Sequence, residues 1–190
     1  MRAAVDLVSE RGTSYVAVSD IAETADVSRQ LLYQQFGDRD TLLLEAALDL
    51  VRRELMPHFE GSPEAEGEQN GLLIIVRYFA EHRTFYRALL TGPCSYEVGK
   101  SLTDLFAPFN ERIALQMTQA HPPPHLVEDL AAFVTGGFAT VVNTWLVEGE
   151  DPLDAQAFTD RLTRTLTAIT DATCEPAGHH QDRSASDESD

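Results

Sequence analysis

The sequence predicts an all-α protein, built as a small N-terminal set of short helices followed by a larger helical domain. Three observations carry this. Apolar residues recur at three- and four-residue spacing along most of the chain, and no alternating, strand-like run interrupts them. Glycine and proline fall between these periodic segments and divide them into helix-sized lengths. One short segment, residues 28–36, holds no Asp or Glu although the chain carries a net charge of −17.

The elements follow in order. Arg2–Arg11 places Ala4, Leu7 and Val8 on one face, and Gly12 supplies a stop. Val18, Ile21, Ala22 and Ala25 form a second, short stripe. Asp26-Val27 is a tight connection, and Ser28 is a cap for a third helix ending near Phe36. Gly37 breaks that helix. Asp38 caps a fourth, from Arg39 to about His58, with Leu42, Leu43, Ala46, Leu50 and Leu55 apolar. A polar stretch with Gly61, Pro63, Gly67 and Gly71 reads as a loop. Helices over Leu72–His82, Thr84–Leu90 and Tyr96–Ala120 come next, the last bent at Pro108. His121-Pro122-Pro123-Pro124 breaks the pattern. Two strong helices close the fold: His125–Glu148, and a last one that Pro152 opens in its first turn and that ends near Thr173. Residues 175–190 are acidic and short of large apolar side chains, the composition of a disordered tail. The expected division is therefore 1–48, 49–174 and a tail from 175.

Composition excludes several classes. A hydrophobic content of 43% suits a packed domain and is too high for a disordered chain. No apolar run approaches the roughly 20 residues of a membrane span, and Asp6 and Glu10 interrupt anything resembling a signal peptide. A cytoplasmic protein with no membrane partner is expected. Cys94 and Cys174 show no paired spacing, so no metal and no cofactor are expected. His179-His180 lies in a solvated tail. No catalytic or phosphate-cradling motif occurs, and the chain is not read as an enzyme. Residues 1–52 hold five Arg and nine Asp or Glu, a net −4, so −13 of the charge lies beyond them. Lys100 is the sole lysine, leaving basic work to arginine.

Residues 18–36 meet the requirements of a helix-turn-helix: two short helices, a tight turn, and an outer face that is polar and not acidic. Leu32 and Phe36 can pack inward with Val27. Arg29, Gln30, Tyr33 and Gln34 are left outside, where Arg can pair with guanine, Gln with adenine, and Tyr with a phosphate. On spacing alone, an ordinary amphipathic helix with a solvated face meets the same pattern.

The order Gly12, Ile21-Ala22, Ala25, Val27-Ser28, Leu32-Tyr33, Phe36 and Leu42 resembles the N-terminal domain of TetR-family transcriptional regulators. The resemblance spans about Leu7–Leu50. Looser similarities run over His82–Leu90 and from Gly137 through Trp145-Leu146 to Gly149. It implies a DNA-binding regulator, a ligand-responsive repressor that binds a palindromic double-stranded operator as a homodimer. A larger helical domain would bind an unidentified small-molecule effector. By position, it implies phosphate contacts for Ser28 and Tyr33 and base contacts for Arg29, Gln30 and Gln34. Arg39 stands where the family has a lysine near a phosphate. This chain departs from the pattern at Ala17 (a capping Thr in the family), Asp26 (a turn Gly), Leu31 (a Thr) and Gln35 (a His), and it starts without a basic arm. Ser19 is an alternative cap one turn later. These departures keep open a second reading, a ligand- or protein-interaction module of the same fold with weak or lost DNA binding.

In the larger domain, Phe85, Tyr86, Phe106, Phe109, Phe138 and Trp145 are candidate pocket residues, with Gln116 and Asn143 as polar pointers. Phe133, Tyr96 and Met117 could join them, although helical spacing suits core as well. His82 and Arg83 could hold an anionic effector or lie on the surface. Gly136-Gly137 would allow close helix approach, and the last two helices are expected to form the homodimer interface.

Overall fold

The structure is a computed structural model that describes residues 1–59, 68–116 and 123–174. Among these residues it contains helices and no strand. In order they are α1 (Arg2–Arg11), α2 (Val18–Thr24), α3 (Arg29–Phe36), α4 (Arg39–Leu50), α5 (Glu68–Glu81), α6 (Arg83–Leu90), α7 (Ser95–Gln116), α8 (Pro124–Glu148) and α9 (Ala155–Cys174).

Local chemistry sets the N-terminal boundaries. Gly12 ends α1 at φ +62°, and its N–H bonds the Val8 carbonyl. The Ser28 hydroxyl accepts the Leu31 N–H at 3.1 Å, and the Asp38 carboxylate accepts the Thr41 N–H at 2.8 Å, so both predicted caps form. The Thr41 bonds hold the Asp38 carboxyl below its usual range, so this contribution to stability is lost as pH falls through that lowered value. Burial of Val8, Ile21, Leu32, Leu42, Leu43 and Ala46 joins α1 to α4 into one apolar centre. Two expectations change here. Val27 is exposed, because its N–H turns back to the Ala22 carbonyl to close α2, and Ala25 is exposed with it.

Beyond Leu50 the α4 chain stays helical but changes pitch. Val51–Leu55 forms one π-type turn and Met56–Phe59 a 3-10 turn, so regular α geometry stops short of the predicted His58. Val51 and Leu55 remain buried. The apolar cluster then continues without interruption through Val76, Phe79, Phe85, Tyr86, Leu89 and Val98 to Trp145 and Phe158.

Within the larger part, α7 packs along α8, and α9 along α5. Helix α6 lies between α1, α7 and α8 and links the N-terminal helices to the rest. Tyr86 Oη donates to the Ala47 carbonyl of α4 at 3.2 Å and lies 2.6 Å from Tyr78 Oη of α5. Burial raises the pKa of both phenols, keeping them protonated. The chain crosses itself tightly at Gly92, where a Cβ would collide with the Ser14 hydroxyl.

Three further expectations are corrected. Pro152 does not open the last helix: α9 begins at Ala155, with the Asp154 carboxylate accepting the Ala157 N–H, and Pro152 precedes it after a cis peptide bond. Arg83 is not on the surface. It is 8% exposed, and its Nε donates to the Leu146 carbonyl at 3.0 Å, while its other nitrogens reach the Gly149 carbonyl and Asp151. Finally, His125–Glu148 is long and apolar enough, by length and composition, to cross a bilayer. Its most apolar 18-residue stretch has a mean hydropathy of 1.6, and 11% of that stretch is buried. Threonine and glycine between the apolar residues hide this when only continuous runs are sought. The Cys174 side chain, Met117 and the tail with His179-His180 lie outside the described residues.

Candidate nucleic-acid interface

The turn between α2 and α3 is a Schellman motif. The Asp26 N–H bonds the Glu23 carbonyl at 3.2 Å, the Val27 N–H bonds the Ala22 carbonyl at 3.0 Å, and Asp26 sits at φ +53°. Aspartate reaches this left-handed region more readily than most side chains, but not freely. Asp26→Gly is expected to raise stability by about 1 kcal/mol and, by removing a negative charge, to tighten DNA binding at low salt. Urea denaturation and a salt-dependent binding series check both effects.

Leu32 is buried and Phe36 half-buried, and together they seat α3 on the core. Arg29, Gln30, Leu31, Tyr33, Gln34 and Gln35 are all exposed, so the helix presents a broad polar, acid-free face. Arg29 lies 6.0 Å from the centroid of the Tyr33 ring and pairs with no carboxylate among the described residues. The Ser28 side chain is engaged in its own cap. Neither Ala17 nor Ser19 caps α2: Ala17 lacks the group, and the Ser19 hydroxyl donates to Asp20.

The flanking arginines, Arg11 and Arg39, are both paired with carboxylates. Arg11 pairs with Asp20 at 2.6 Å, and this bond chiefly holds the Asp20 carboxyl below its usual range. Arg39 bonds Asp40 through Nε at 2.9 Å and through a second nitrogen at 2.8 Å. Its guanidinium also lies 5.6 Å from the centroid of the Tyr15 ring. Tyr15 is 68% exposed and was not singled out from the sequence. The signal available was one aromatic residue in the short link between Gly12 and Val18.

The candidate pocket residues fall into two aromatic groups. Phe85 and Tyr86 are fully buried in a run of ring contacts that passes through Phe79 to Phe106, Phe109 and Phe59. Trp145 instead stacks on Phe158 of α9, with centroids 4.1 Å apart. Phe138 and Asn143 are half-buried on α8, and the Gln116 side chain lies outside the described residues. Among the described residues no cluster of His, Cys, Asp or Glu could hold a metal ion.

A short helix capped by serine, seated by two apolar residues and carrying Arg, Gln and Tyr outward after a tight turn has the arrangement of a helix-turn-helix. Residues 1–46 match the family model of bacterial regulatory proteins, tetR family. The chain therefore carries an N-terminal domain of the tetR-regulator type. The HTH-type transcriptional repressor Rv3405c of Mycobacterium tuberculosis is 34% identical over 101 residues, covering 53% of this chain and 48% of that protein. The HTH-type dhaKLM operon transcriptional activator DhaS of Lactococcus lactis is 27% identical over 92 residues, 48% of this chain and 47% of the relative. The chain thus spans about half the length of the curated relatives it matches. A solved structure, the dihydroxyacetone kinase operon activator DhaS, shares the fold with a TM-score of 0.58 at 18% identity, over 90% of this chain and 93% of that one.

Proposed function

We propose that the chain is a dimeric, effector-responsive repressor that reads a palindromic operator in the cytoplasm by binding and not by catalysis. Residues 1–48 would do the reading and residues 49–174 the effector binding and dimerisation. The observation that carries this is the acid-free, exposed face of α3 on a buried four-helix core. In this reading Arg29, Gln30 and Gln34 would meet bases, and Ser28, Tyr33 and Arg39 phosphates. Its test is a gel shift with DNA from upstream of its own gene. Binding confined to that DNA supports the reading, and no specific shift overturns it.

The repressor direction follows the more similar relative, Rv3405c. A second reading, activation, is favoured by DhaS, which is similar in both sequence and fold. A promoter fusion separates them: deletion of the regulator raises expression in the first case and lowers it in the second.

The dimer reading rests on α8. Phe133 is 67% exposed, Leu126 and Val141 are also exposed, and Gly136 and Gly137 leave open space beside them. A second copy fits this face better than lipid does, because Thr140 and Thr144 interleave with the apolar side chains and Glu128 and Asp129 lie near its start. Phe133→Asp is expected to turn a dimer into a monomer in light scattering and to weaken operator binding with it. A variant that remains dimeric removes α8 from the interface. The effector reading rests on the buried aromatic residues of α6 to α8, with Asn143 and Gln116 as the polar groups that would orient a small molecule.

A further inference from the structure

We propose that Tyr15 is a DNA-backbone contact of this chain, its hydroxyl bonding a phosphate at the edge of the reading helix. The inference rests on the DNA-binding reading above and adds a residue to it.

The link from Gly12 to Val18 is fixed by what its neighbours bury. Ser14 is 2% exposed and Val16 1%, one on each side of Tyr15, so the intervening side chain has to project outward. The Tyr15 N–H is held by the Thr13 hydroxyl at 3.2 Å. Its own hydroxyl has no hydrogen-bond partner among the described residues, while Arg39 lies against the ring. An isolated exposed tyrosine needs no explanation. An exposed tyrosine on a rigid loop, oriented by a cation and with its polar tip unused, is preorganised for a ligand.

Position then selects the ligand. In a helix-turn-helix the first helix crosses the DNA backbone while the second enters the groove. Tyr15 lies three residues before α2, and Arg39 three residues after the end of α3. Their contact therefore joins the entry of the first helix to the exit of the second, where a phosphate runs past. Ala17 offers no hydroxyl there, and the charge of Arg39 is shared with Asp40. A neutral donor from Tyr15 can bond the phosphate without needing a further basic residue.

The test is fluorescence anisotropy of the full chain with two labelled duplexes, one from its own upstream region and one unrelated, across a salt series. Tyr15→Phe keeps the ring and the seat of Arg39 and removes only the hydroxyl. It should weaken binding about tenfold on both duplexes, with unchanged salt slope and melting temperature. Tyr15→Ala should bind more weakly still, with a slope flatter by about one, because Arg39 loses its support. Wild-type binding by Tyr15→Phe overturns the inference. A loss confined to the upstream duplex also overturns it, by making Tyr15 a base reader. If the unaltered chain binds neither duplex, the DNA-binding reading itself falls.

Discussion

Arg29→Ala combined with Tyr33→Ala is expected to weaken binding to the upstream DNA at least 100-fold and to leave stability within about 0.5 kcal/mol of wild type. Arg29 is exposed and Tyr33 is 46% exposed, so neither side chain supports the core. A bidentate arginine–guanine contact discriminates by about 1–3 kcal/mol, and a hydrogen bond to a charged phosphate adds about 1.5–3 kcal/mol. The single changes should differ in kind. Arg29→Ala should relax sequence preference, whereas Tyr33→Phe should weaken every duplex alike. Gel-shift titrations against the operator and base-substituted versions read this out. Full repression by the double variant would show that α3 does not read the operator.

Arg83→Ala should have the largest effect on stability, about 3 kcal/mol, or a fall in melting temperature of roughly 6–12 °C for a chain of this size. The guanidinium is buried and bonds the Leu146 and Gly149 carbonyls where α8 ends. Without it those acceptors lose a charged donor that neutral neighbours do not replace. Its bond to Asp151 contributes little, because that carboxylate is 77% exposed. Arg83→Lys keeps the charge but not the planar fork that reaches several acceptors at once, so an intermediate loss is expected. Thermal unfolding followed by circular dichroism measures both. An unchanged midpoint for Arg83→Ala would mean that the end of α8 is held by packing alone.

The fold was legible where a residue's role is local. Ser28, Asp38 and Gly12 act within one turn of themselves, and each does in the structure what its type prescribes. Arg83 was not legible, because its partners are more than 60 residues away and carry no side-chain signature. Val27 misled for a related reason: it is apolar by composition but placed by the backbone closure at Asp26. For the interface, the sequence identified the side chains of α3 that face outward. It did not reveal that Asp40 and Asp20 would occupy Arg39 and Arg11, since pairing depends on distances that spacing alone does not fix.

The wide turn at Val51–Leu55 has a consequence for how this helix can change. Each residue of a regular α-helix advances by about 100°, and a π turn absorbs one residue beyond that count. Side chains after Leu55 therefore sit about 100° behind where an uninterrupted α-helix would carry them, and one continuous rod can face two neighbours set at different angles. Deleting a single residue from 51–55 would remove the extra residue and let the turn close to regular α geometry, with the side chains on either side keeping their present faces. The extra residue thus behaves as a phase correction between the two ends of the rod, taken up within the wide turn.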